Sequence, residues 1–343
     1  MILHTCTKVN VGLNVLRRRP DGYHDIETLF VPYYGWSDTI TVEPAKYLTV
    51  SIDHPDYTLW DPMDDLTVRA WRLLKADFPE LPAVYIHLEK HAPVGAGLGG
   101  GSADAAFMLR GLSEMFGLGL DDTALASYAA RLGSDCPFFV YAAAAAYTNT
   151  IPLHPQGTGE GSPGTPSVAS LRTGSNTPSI PQHLQAKPAA MFATGRGEVL
   201  EPFDIDLSGY ELRVEVPLDA SGNPVAVSTK EAYAGIRPRM EESSPASLSR
   251  SEARMDVAGE LPSSGGKQEG AFGRPPLGDA LSLRDALRLP MEQWRGLVVN
   301  DFEATVCPRH PEIPALIQDF YRRGAVYAAM SGSGSSVFGF FRK

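Results

Sequence analysis

Five glycines lie within one short segment of the chain, "PVGAGLGGGS", which spans residues 93–102. Glycine loses more freedom on folding than any other residue, so this density indicates that a ligand approaches the backbone closely. The N–H groups of such a loop, together with the positive end of a helix predicted to begin at Ser102, favour a phosphate. The Ser102 hydroxyl could cap that helix, face the phosphate or approach a metal ion.

Two common nucleotide-binding patterns fit this segment poorly. "GAGLGG" satisfies G-x-G-x-x-G, but the dinucleotide pattern also needs an acidic residue about 20 residues further on, after the next strand. Asp121 and Asp122 instead begin a predicted helix. The pattern G-x-x-x-x-G-K-[ST] is absent because no lysine follows the glycines. A nicotinamide-dependent oxidoreductase is therefore a disfavoured alternative.

Hydrophobic periodicity predicts the elements that position this loop. Strands are expected over residues 4–16, 38–53, 83–91, 189–203 and 209–217, with a strand, a glycine turn and a second strand over 325–343. Helices are expected over residues 65–78, 102–117, 121–133, 227–236, 283–306 and 311–324. Asp121 or Asp122 and Ser228 or Thr229 are the expected helix caps. The order predicts a mixed α+β fold rather than regular βαβ units.

The length of 343 residues allows two domains. We expect the domains to span residues 1–205 and 206–343. Two segments, near residues 145–186 and 240–278, are rich in Gly, Pro and Ser and lack apolar periodicity. Their composition predicts flexible surface insertions, one in each domain.

Composition excludes several classes of function. The net charge of −10 and the absence of a basic patch interleaved with aromatic residues argue against nucleic-acid binding. The longest apolar run, residues 138–147, is too short to cross a bilayer, and we find no signal peptide. The three cysteines form neither a disulfide framework nor a zinc pattern. We expect a cytoplasmic protein without a membrane partner or an obligatory protein partner.

Three segments together resemble the GHMP kinases, a superfamily of small-molecule kinases. "PVGAGLGGGSADAA" resembles their phosphate loop, "TKVNVGLNV" near the N-terminus their first motif, and "MSGSGSSVFGFF" near the C-terminus their third motif. Within the superfamily, "KVNVGLNVLRRRPDGYHDIETLF" and "RLGSDCPFFV" resemble the kinases of 4-diphosphocytidyl-2-C-methyl-D-erythritol. The resemblance covers most of the chain except the two predicted insertions.

The resemblance implies a fold and an activity. The fold is a two-domain GHMP kinase fold, with an N-terminal domain like domain 2 of ribosomal protein S5 and a ferredoxin-like C-terminal domain. The activity is ATP-dependent, Mg²⁺-dependent phosphorylation of the 2-hydroxyl of that small-molecule substrate, in the non-mevalonate pathway to isoprenoids. A mevalonate, homoserine or sugar kinase is the alternative, although "GYH" and "GSDCPFF" argue against it. A non-catalytic nucleotide-binding protein of this fold is a further alternative.

The resemblance also implies roles for single residues. Lys8 and Asp135 match the catalytic pair of the family. Asp135 would accept the proton of the attacking hydroxyl or hold that hydroxyl in line. Lys8 would lower the pKa of Asp135, contact the hydroxyl or neutralise the transferred group, and the sequence does not choose among these. From the residues alone, a lysine in a strand is usually a solvated edge residue and an aspartate after "GS" usually a turn residue or helix cap; the placement of Lys8 and Asp135 inside two family motifs favours the catalytic roles.

The remaining site residues bind ATP or substrate. Asn10 matches a residue that contacts the erythritol part, Tyr23 one that stacks on cytosine, and His24 one that hydrogen-bonds the edge of the base. A plain turn that contains a packed tyrosine is the alternative for "DGYH". No residue is named as a metal ligand. The ATP-binding residues are Pro93, Val94, Gly95, Ala96, Gly97, Leu98, Gly99, Gly100, Gly101 and Ser102.

Three smaller features complete these expectations. The turn at residues 331–334 would close over the phosphates or the substrate. Asp64 and Asp65 stand where the family's helix often begins with Asn near adenine, so the adenine contacts are left open. Cys136 is expected to be a small buried residue rather than a nucleophile.

Overall fold

The computed structural model describes residues 1–54, 60–147, 190–242 and 281–343. The two predicted insertions, near residues 145–186 and 240–278, lie outside these ranges except for their first residues. Their predicted character stays a prediction.

The described residues form a mixed α+β structure, as predicted. The strands are β1 Ile2–His4, β2 Thr7–Arg18, β3 His24–Tyr33, β4 Thr39–Pro44, β5 Thr49–Asp53, β6 Val84–Glu89, β7 Met191–Thr194, β8 Val199–Pro202, β9 Tyr210–Glu215, β10 Ala325–Met330 and β11 Val337–Arg342. The helices are α1 Leu66–Asp77, α2 Gly100–Met115, α3 Asp122–Ala130, α4 Cys136–Tyr147, α5 Thr229–Tyr233, α6 Arg239–Glu242, α7 Leu283–Ala286, α8 Glu303–Val306 and α9 Glu312–Arg322. Short 3₁₀ helices span Pro62–Asp64 and Met291–Gln293.

The described strands form three sheets. The first has the order β1-β4-β6-β5, the second β2-β3-β7-β8 and the third β10-β11-β9. Among the described strands, β5 and β6 form a parallel pair and the other pairs are antiparallel. A doubly wound dinucleotide-binding sheet is mostly parallel. The oxidoreductase alternative therefore lacks its sheet in the described part of the chain.

Three hydrophobic clusters hold the described elements together. The first packs helices α1 to α4 on the first sheet and includes Ile86, Leu109 and Phe138. The second cluster joins β2 and β3 to the third sheet and includes Trp294. The third cluster packs α9 against the opposite side of β10 and β11 and includes Phe320. The second and third clusters draw residues from both sides of the predicted domain boundary near Asp206. That boundary stays a prediction.

Helix α2 begins earlier than predicted. It starts at Gly100 after an N-cap Gly99 with a φ of 72°, and no side chain caps it. Ser102 therefore lies at the third helical position, and the suggestion that its hydroxyl caps the helix is wrong. Two other caps are as predicted: Asp121 accepts a hydrogen bond from the backbone of Ala124, and Ser228 accepts one from Glu231.

The helix predicted over residues 283–306 is broken into α7, a 3₁₀ turn and α8. Pro290 lacks a backbone donor and its ring clashes with the preceding turn, so a helix cannot run through it. Gly296 then adopts a φ of 81°, outside the helical region. Trp294, between these two residues, is almost completely buried. The apolar spacing that suggested one helix instead reflects packing of this irregular segment around Trp294.

The longest apolar run lies in α4. Within the described ranges, no helix has both the length and the apolar character needed to cross a lipid bilayer.

Candidate active site

A cavity of about 760 Å³ opens between the second sheet and the N-terminus of α2. Its walls include Lys8, Asn10, the glycine-rich segment 93–102, Asp135 and Gly332. These residues come from the three motifs and from the "GSD" segment, which are distant from one another in sequence. The fold therefore brings the two predicted catalytic residues and all ten predicted ATP-binding residues to one cavity.

Lys8 and Asp135 form an ion pair across this cavity. The Lys8 Nζ lies 3.4 Å from Asp135 Oδ2, and the Lys8 side chain is only 4% exposed whereas that of Asp135 is 31% exposed. Burial lowers the pKa of Lys8 below its ordinary value, and the carboxylate of Asp135 opposes that shift. The reading of Lys8 as a solvated strand residue is therefore wrong.

Two further oxygens hold the Lys8 ammonium group. Its Nζ donates hydrogen bonds to the Asn10 Oδ1 and, at 3.1 Å, to the Gly97 carbonyl oxygen. The Asn10 Nδ2 donates in turn to Thr28 Oγ1 at 3.1 Å. Lys8 and Asn10 share one face of β2, as the two-residue period of a strand predicts. Asn10 thus positions Lys8, and its predicted contact with the erythritol part stays a prediction.

Asp135 stands directly before α4. The Ser134 hydroxyl donates to Asp135 Oδ1 at 3.3 Å, and the backbone N–H of Cys136 bonds to the Gly133 carbonyl. The positive end of α4 favours a carboxylate at this position. Cys136 itself is fully buried, and burial raises the pKa of its thiol to about 12, which agrees with a packing role rather than a nucleophilic one.

The glycine-rich segment turns its carbonyl groups towards the protein. The Leu98 carbonyl accepts a hydrogen bond from the Lys8 N–H at 3.0 Å, and the Ala96 carbonyl accepts one from the Ser336 N–H at 3.1 Å. Gly97 has a φ of 77°, and a Cβ there would lie 2.5 Å from the Ser331 carbonyl oxygen. The first N–H groups of α2 have no intrahelical partner and no capping side chain. This arrangement fits a polyphosphate chain.

The C-terminal turn 331–334 packs directly against this segment and against Lys8. A Cβ on Gly332 would lie 3.0 Å from both Asn10 Oδ1 and the Gly97 carbonyl oxygen. Asn300 fixes the turn by donating from Nδ2 to the carbonyl oxygens of Met330 and Gly332, at 2.9 and 2.8 Å. The turn therefore closes the end of the cavity where Lys8 lies.

Tyr23 and His24, the two residues predicted to bind the base, are not among the described residues that line the cavity. Tyr23 is 57% exposed, and the Arg196 guanidinium sits 5.0 Å from the centre of its ring. The His24 ring stacks on Tyr233, with 4.6 Å between ring centres and 19° between planes. Arg196 and Tyr233 do line the cavity. Tyr23 and His24 thus contact the cavity wall through these two residues.

Sequence reasoning missed Arg196 and Tyr233. Arg196 lies in the turn between β7 and β8, and Tyr233 is the last residue of α5. The sequence predicted one strand over residues 189–203, so the turn that carries Arg196 was missed. No local signal marked Tyr233, because its ring reaches the cavity only through the packing of α5 beside α8.

A buried ion network below the glycine-rich segment was also missed. Lys90 Nζ donates to Asp38 and, at 2.6 Å, to Asp104 Oδ2. Burial lowers the pKa of Lys90, but the charges of Asp104 and Asp38 outweigh burial and raise it above its ordinary value. Asp38 Oδ1 also accepts hydrogen bonds from the backbone of His91 and Ala92. The network ties α2 to the end of β6.

Oxygen atoms suited to magnesium line the same cavity. Side chains of Ser102, Asp104 and Asp135 contribute to its wall, and the buried Asp104 Oδ1 has no hydrogen-bond partner among the described residues. The described residues contain no group of three or more His, Cys, Asp or Glu side chains that could hold a metal. Mg²⁺ is commonly bound by one or two carboxylates together with substrate phosphates. The donor set therefore fits a magnesium ion that is bound with ATP.

Comparisons with known proteins agree with this geometry. The GHMP kinases N terminal domain matches residues 65–143, and the GHMP kinases C terminal domain matches residues 274–343. A 4-diphosphocytidyl-2-C-methyl-D-erythritol kinase of Bacteroides thetaiotaomicron is 33% identical, over 99% of this chain and 92% of the relative. One of Parabacteroides distasonis is 35% identical, over 100% of this chain and 92% of the relative.

A solved structure shows the same relationship. The crystal structure of a 4-(cytidine 5'-diphospho)-2C-methyl-D-erythritol kinase is 25% identical, covers 99% of this chain and 89% of its own, and superposes with a TM-score of 0.58. The expected GHMP kinase fold is thereby confirmed. The chain belongs to the GHMP kinases and, within them, to the family of the 4-diphosphocytidyl-2-C-methyl-D-erythritol kinases.

Proposed function

We propose that this protein transfers the γ-phosphoryl group of ATP to the 2-hydroxyl of 4-diphosphocytidyl-2-C-methyl-D-erythritol, a step of the non-mevalonate route to isoprenoids. The observation that carries the proposal is the Lys8–Asp135 pair, 3.4 Å apart, at a cavity whose wall is the glycine-rich segment 93–102. The names of the related proteins support this substrate over that of another small-molecule kinase.

Asp135 is the group that receives the attacking hydroxyl. Its carboxylate is exposed to the cavity, whereas its partner Lys8 is buried. The hydroxyl oxygen forms the new bond to the γ-phosphorus, the bond to the ADP oxygen breaks with its electron pair, and Asp135 takes the hydroxyl proton. Phosphoryl transfer depends chiefly on positioning and charge stabilisation. Lys8, held by Asn10 and Gly97, supplies a fixed positive charge beside the reacting atoms.

Residues 93–102 hold the phosphates of ATP. Backbone N–H groups at the uncapped start of α2 donate to the phosphate oxygens, and the helix dipole favours their negative charge. Ser102 and Asp104 would hold the magnesium ion, which neutralises phosphate charge when it is bound. Tyr233 adds to Tyr23 and His24 a second aromatic surface for the cytosine base, since its ring already stacks on His24.

A coupled assay of ADP release tests the proposal. With ATP and Mg²⁺, we expect rapid release of ADP with the cytidylyl methylerythritol substrate and much slower release with mevalonate or homoserine. A reaction without acceptor measures background hydrolysis. Turnover of mevalonate that equals or exceeds turnover of the cytidylyl substrate would contradict the assignment.

A further inference from the structure

Three cationic side chains lie among the described residues that line the cavity: Lys8, Lys90 and Arg196. Lys8 is paired with Asp135, and Lys90 with both Asp38 and Asp104. Among the described residues, Arg196 forms an ion pair with Glu198, at 3.3 Å from Nε to Oε1, and interacts electrostatically with Asp21; its side chain is 35% exposed. Arg196 is therefore the cavity-lining cation in the described ranges with the most capacity for an additional anion.

The turn that carries Arg196 is held in place at both ends. The Arg196 N–H donates to Glu198 Oε2 at 2.6 Å, and the Gly197 N–H donates to the Thr194 carbonyl at 3.1 Å. The Gly195 carbonyl accepts a hydrogen bond from the Ile26 N–H at 2.7 Å, which fixes the turn to β3. Because the backbone of this turn is fixed, the Arg196 side chain is attached at a defined position beside the cavity.

This turn lies between the two ends of the proposed substrate site. A Cβ on Gly197 would be 3.7 Å from Asp135 Oδ1, whereas the guanidinium of the preceding residue lies 5.0 Å from the centre of the Tyr23 ring. In the substrate, the diphosphate joins the cytidine to the methylerythritol. If the base lies at Tyr23 and the reacting hydroxyl at Asp135, the diphosphate passes Arg196.

We propose that Arg196 binds the diphosphate of the cytidylyl substrate; this inference rests on the proposed function. Glu198 occupies Nε, so the terminal Nη groups are the donors that would meet phosphate oxygens. A guanidinium presents its donors in a planar fork that matches two phosphate oxygens at once, which an ammonium cannot do. The Arg196 side chain thus favours substrates in which a phosphate is attached to the nucleoside.

Equilibrium binding of two probes tests this role without turnover. Calorimetric titration with CDP and with cytidine compares a ligand that carries the diphosphate with one that lacks it. For Arg196→Gln we expect CDP to bind at least about 10-fold more weakly, as for loss of hydrogen bonds to a charged group, while cytidine affinity changes less than about 2-fold. Arg196→Lys should recover part of the CDP affinity. Arg288→Gln, which removes an arginine 63% exposed in the turn after α7, is the matched control and should leave both affinities unchanged.

Kinetics separate this inference from the proposed function. In Arg196→Gln, KM for the cytidylyl substrate should rise about 10-fold while kcat and KM for ATP change little, because the diphosphate is equally charged before and during transfer. Equal weakening of CDP and cytidine would show that Arg196 only supports Tyr23, and unchanged CDP affinity would also overturn the inference. If the wild type phosphorylates the cytidylyl substrate, either result overturns the role of Arg196 alone. A wild type that neither binds CDP nor uses that substrate overturns the proposed function, and this inference with it.

Discussion

At the scale of single residues, the buried ammonium group of Lys8 has three oxygen partners among the described residues. These are Asn10 Oδ1, the Gly97 carbonyl and Asp135 Oδ2, while the ring of Phe30 lies 5.2 Å from Nζ. A buried charge is costly unless it is paired and hydrogen-bonded. These contacts hold one cation beside Asp135, as the proposed role of the pair in phosphoryl transfer requires.

Asp135→Asn keeps the shape of the side chain but removes its charge and basicity. We expect kcat to fall about 100-fold or more, the range for loss of a general base. ATP affinity should change little, because backbone groups of residues 93–102 hold the phosphates. Lys8→Ala should also slow turnover, and the double variant should be little slower than the poorer single variant, since groups that act as a unit are not additive. The measurements are steady-state turnover and ATP titration.

Glu43→Gln is the matched control, because it removes an exposed carboxylate from β4 outside the cavity. Circular dichroism confirms that each variant is folded. A folded Asp135→Asn enzyme with turnover near that of the control would mean that Asp135 only caps α4.

At the scale of elements, the glycine-rich segment and the C-terminal turn 331–334 form one interlocked unit. Ser331 Oγ donates to the Gly97 carbonyl at 3.4 Å, and the Gly334 carbonyl oxygen lies 2.9 Å from where a Cβ on Gly97 would be. The approach is close enough to exclude any side chain. The two loops that face the substrates therefore hold each other in position.

Gly95 and Gly97 offer a matched pair for testing this contact. Both have positive φ, 71° and 77°, so alanine costs about 1–2 kcal/mol of backbone strain at either position. A Cβ on Gly95 meets nothing within 4 Å, whereas one on Gly97 would collide with the turn. Gly97→Ala should weaken ATP binding about 10-fold more than Gly95→Ala, as measured by titration with ATP. Equal effects of the two variants would show that the loops do not depend on each other.

The buried network of Lys90 links three further elements. It connects the segment before β4, the end of β6 and helix α2 through Asp38 and Asp104. Lys90→Met removes the cation and leaves two buried carboxylates unpaired, which should lower the free energy of unfolding by about 3–5 kcal/mol. Urea denaturation measures the change. Lys46→Met, at an exposed position, should change it by less than about 0.5 kcal/mol. A Lys90→Met protein as stable as this control would rule out a stabilising role for the network.

At the scale of the whole molecule, an acidic chain is expected to bind two anionic ligands. The net charge of −10 repels nucleotides in general, so cations must be concentrated where the ligands bind. Lys8 and Arg196 face one cavity together with the positive ends of α2 and α4. Asp64, Asp65, Asp104 and Asp135 line the same cavity, so these positive groups act locally and the described lining as a whole is not positively charged.

Much of this site could be predicted from the sequence, because its parts lie in compact motifs. Glycine density marked residues 93–102, and the spacing in "TKVN" placed Lys8 and Asn10 on one strand face. Arg196 and Tyr233 could not be predicted, since their position depends on which strands and helices pack together. The start of α2 was predicted two residues late because Gly100 and Gly101 are poor helix formers. Pro290 did signal a break within 283–306, but the apolar spacing led to the prediction of a single helix.

The most direct test of the account identifies the product. The protein is incubated with ATP, Mg²⁺ and the cytidylyl methylerythritol substrate, and the reaction is followed by mass spectrometry and ³¹P NMR, with Asp135→Asn as the matched sample. We predict a product that gains one phosphate as a monoester on the 2-hydroxyl, formed at least about 100-fold more slowly by Asp135→Asn. Release of ADP without a phosphorylated product, or a phosphate at another position, would contradict it.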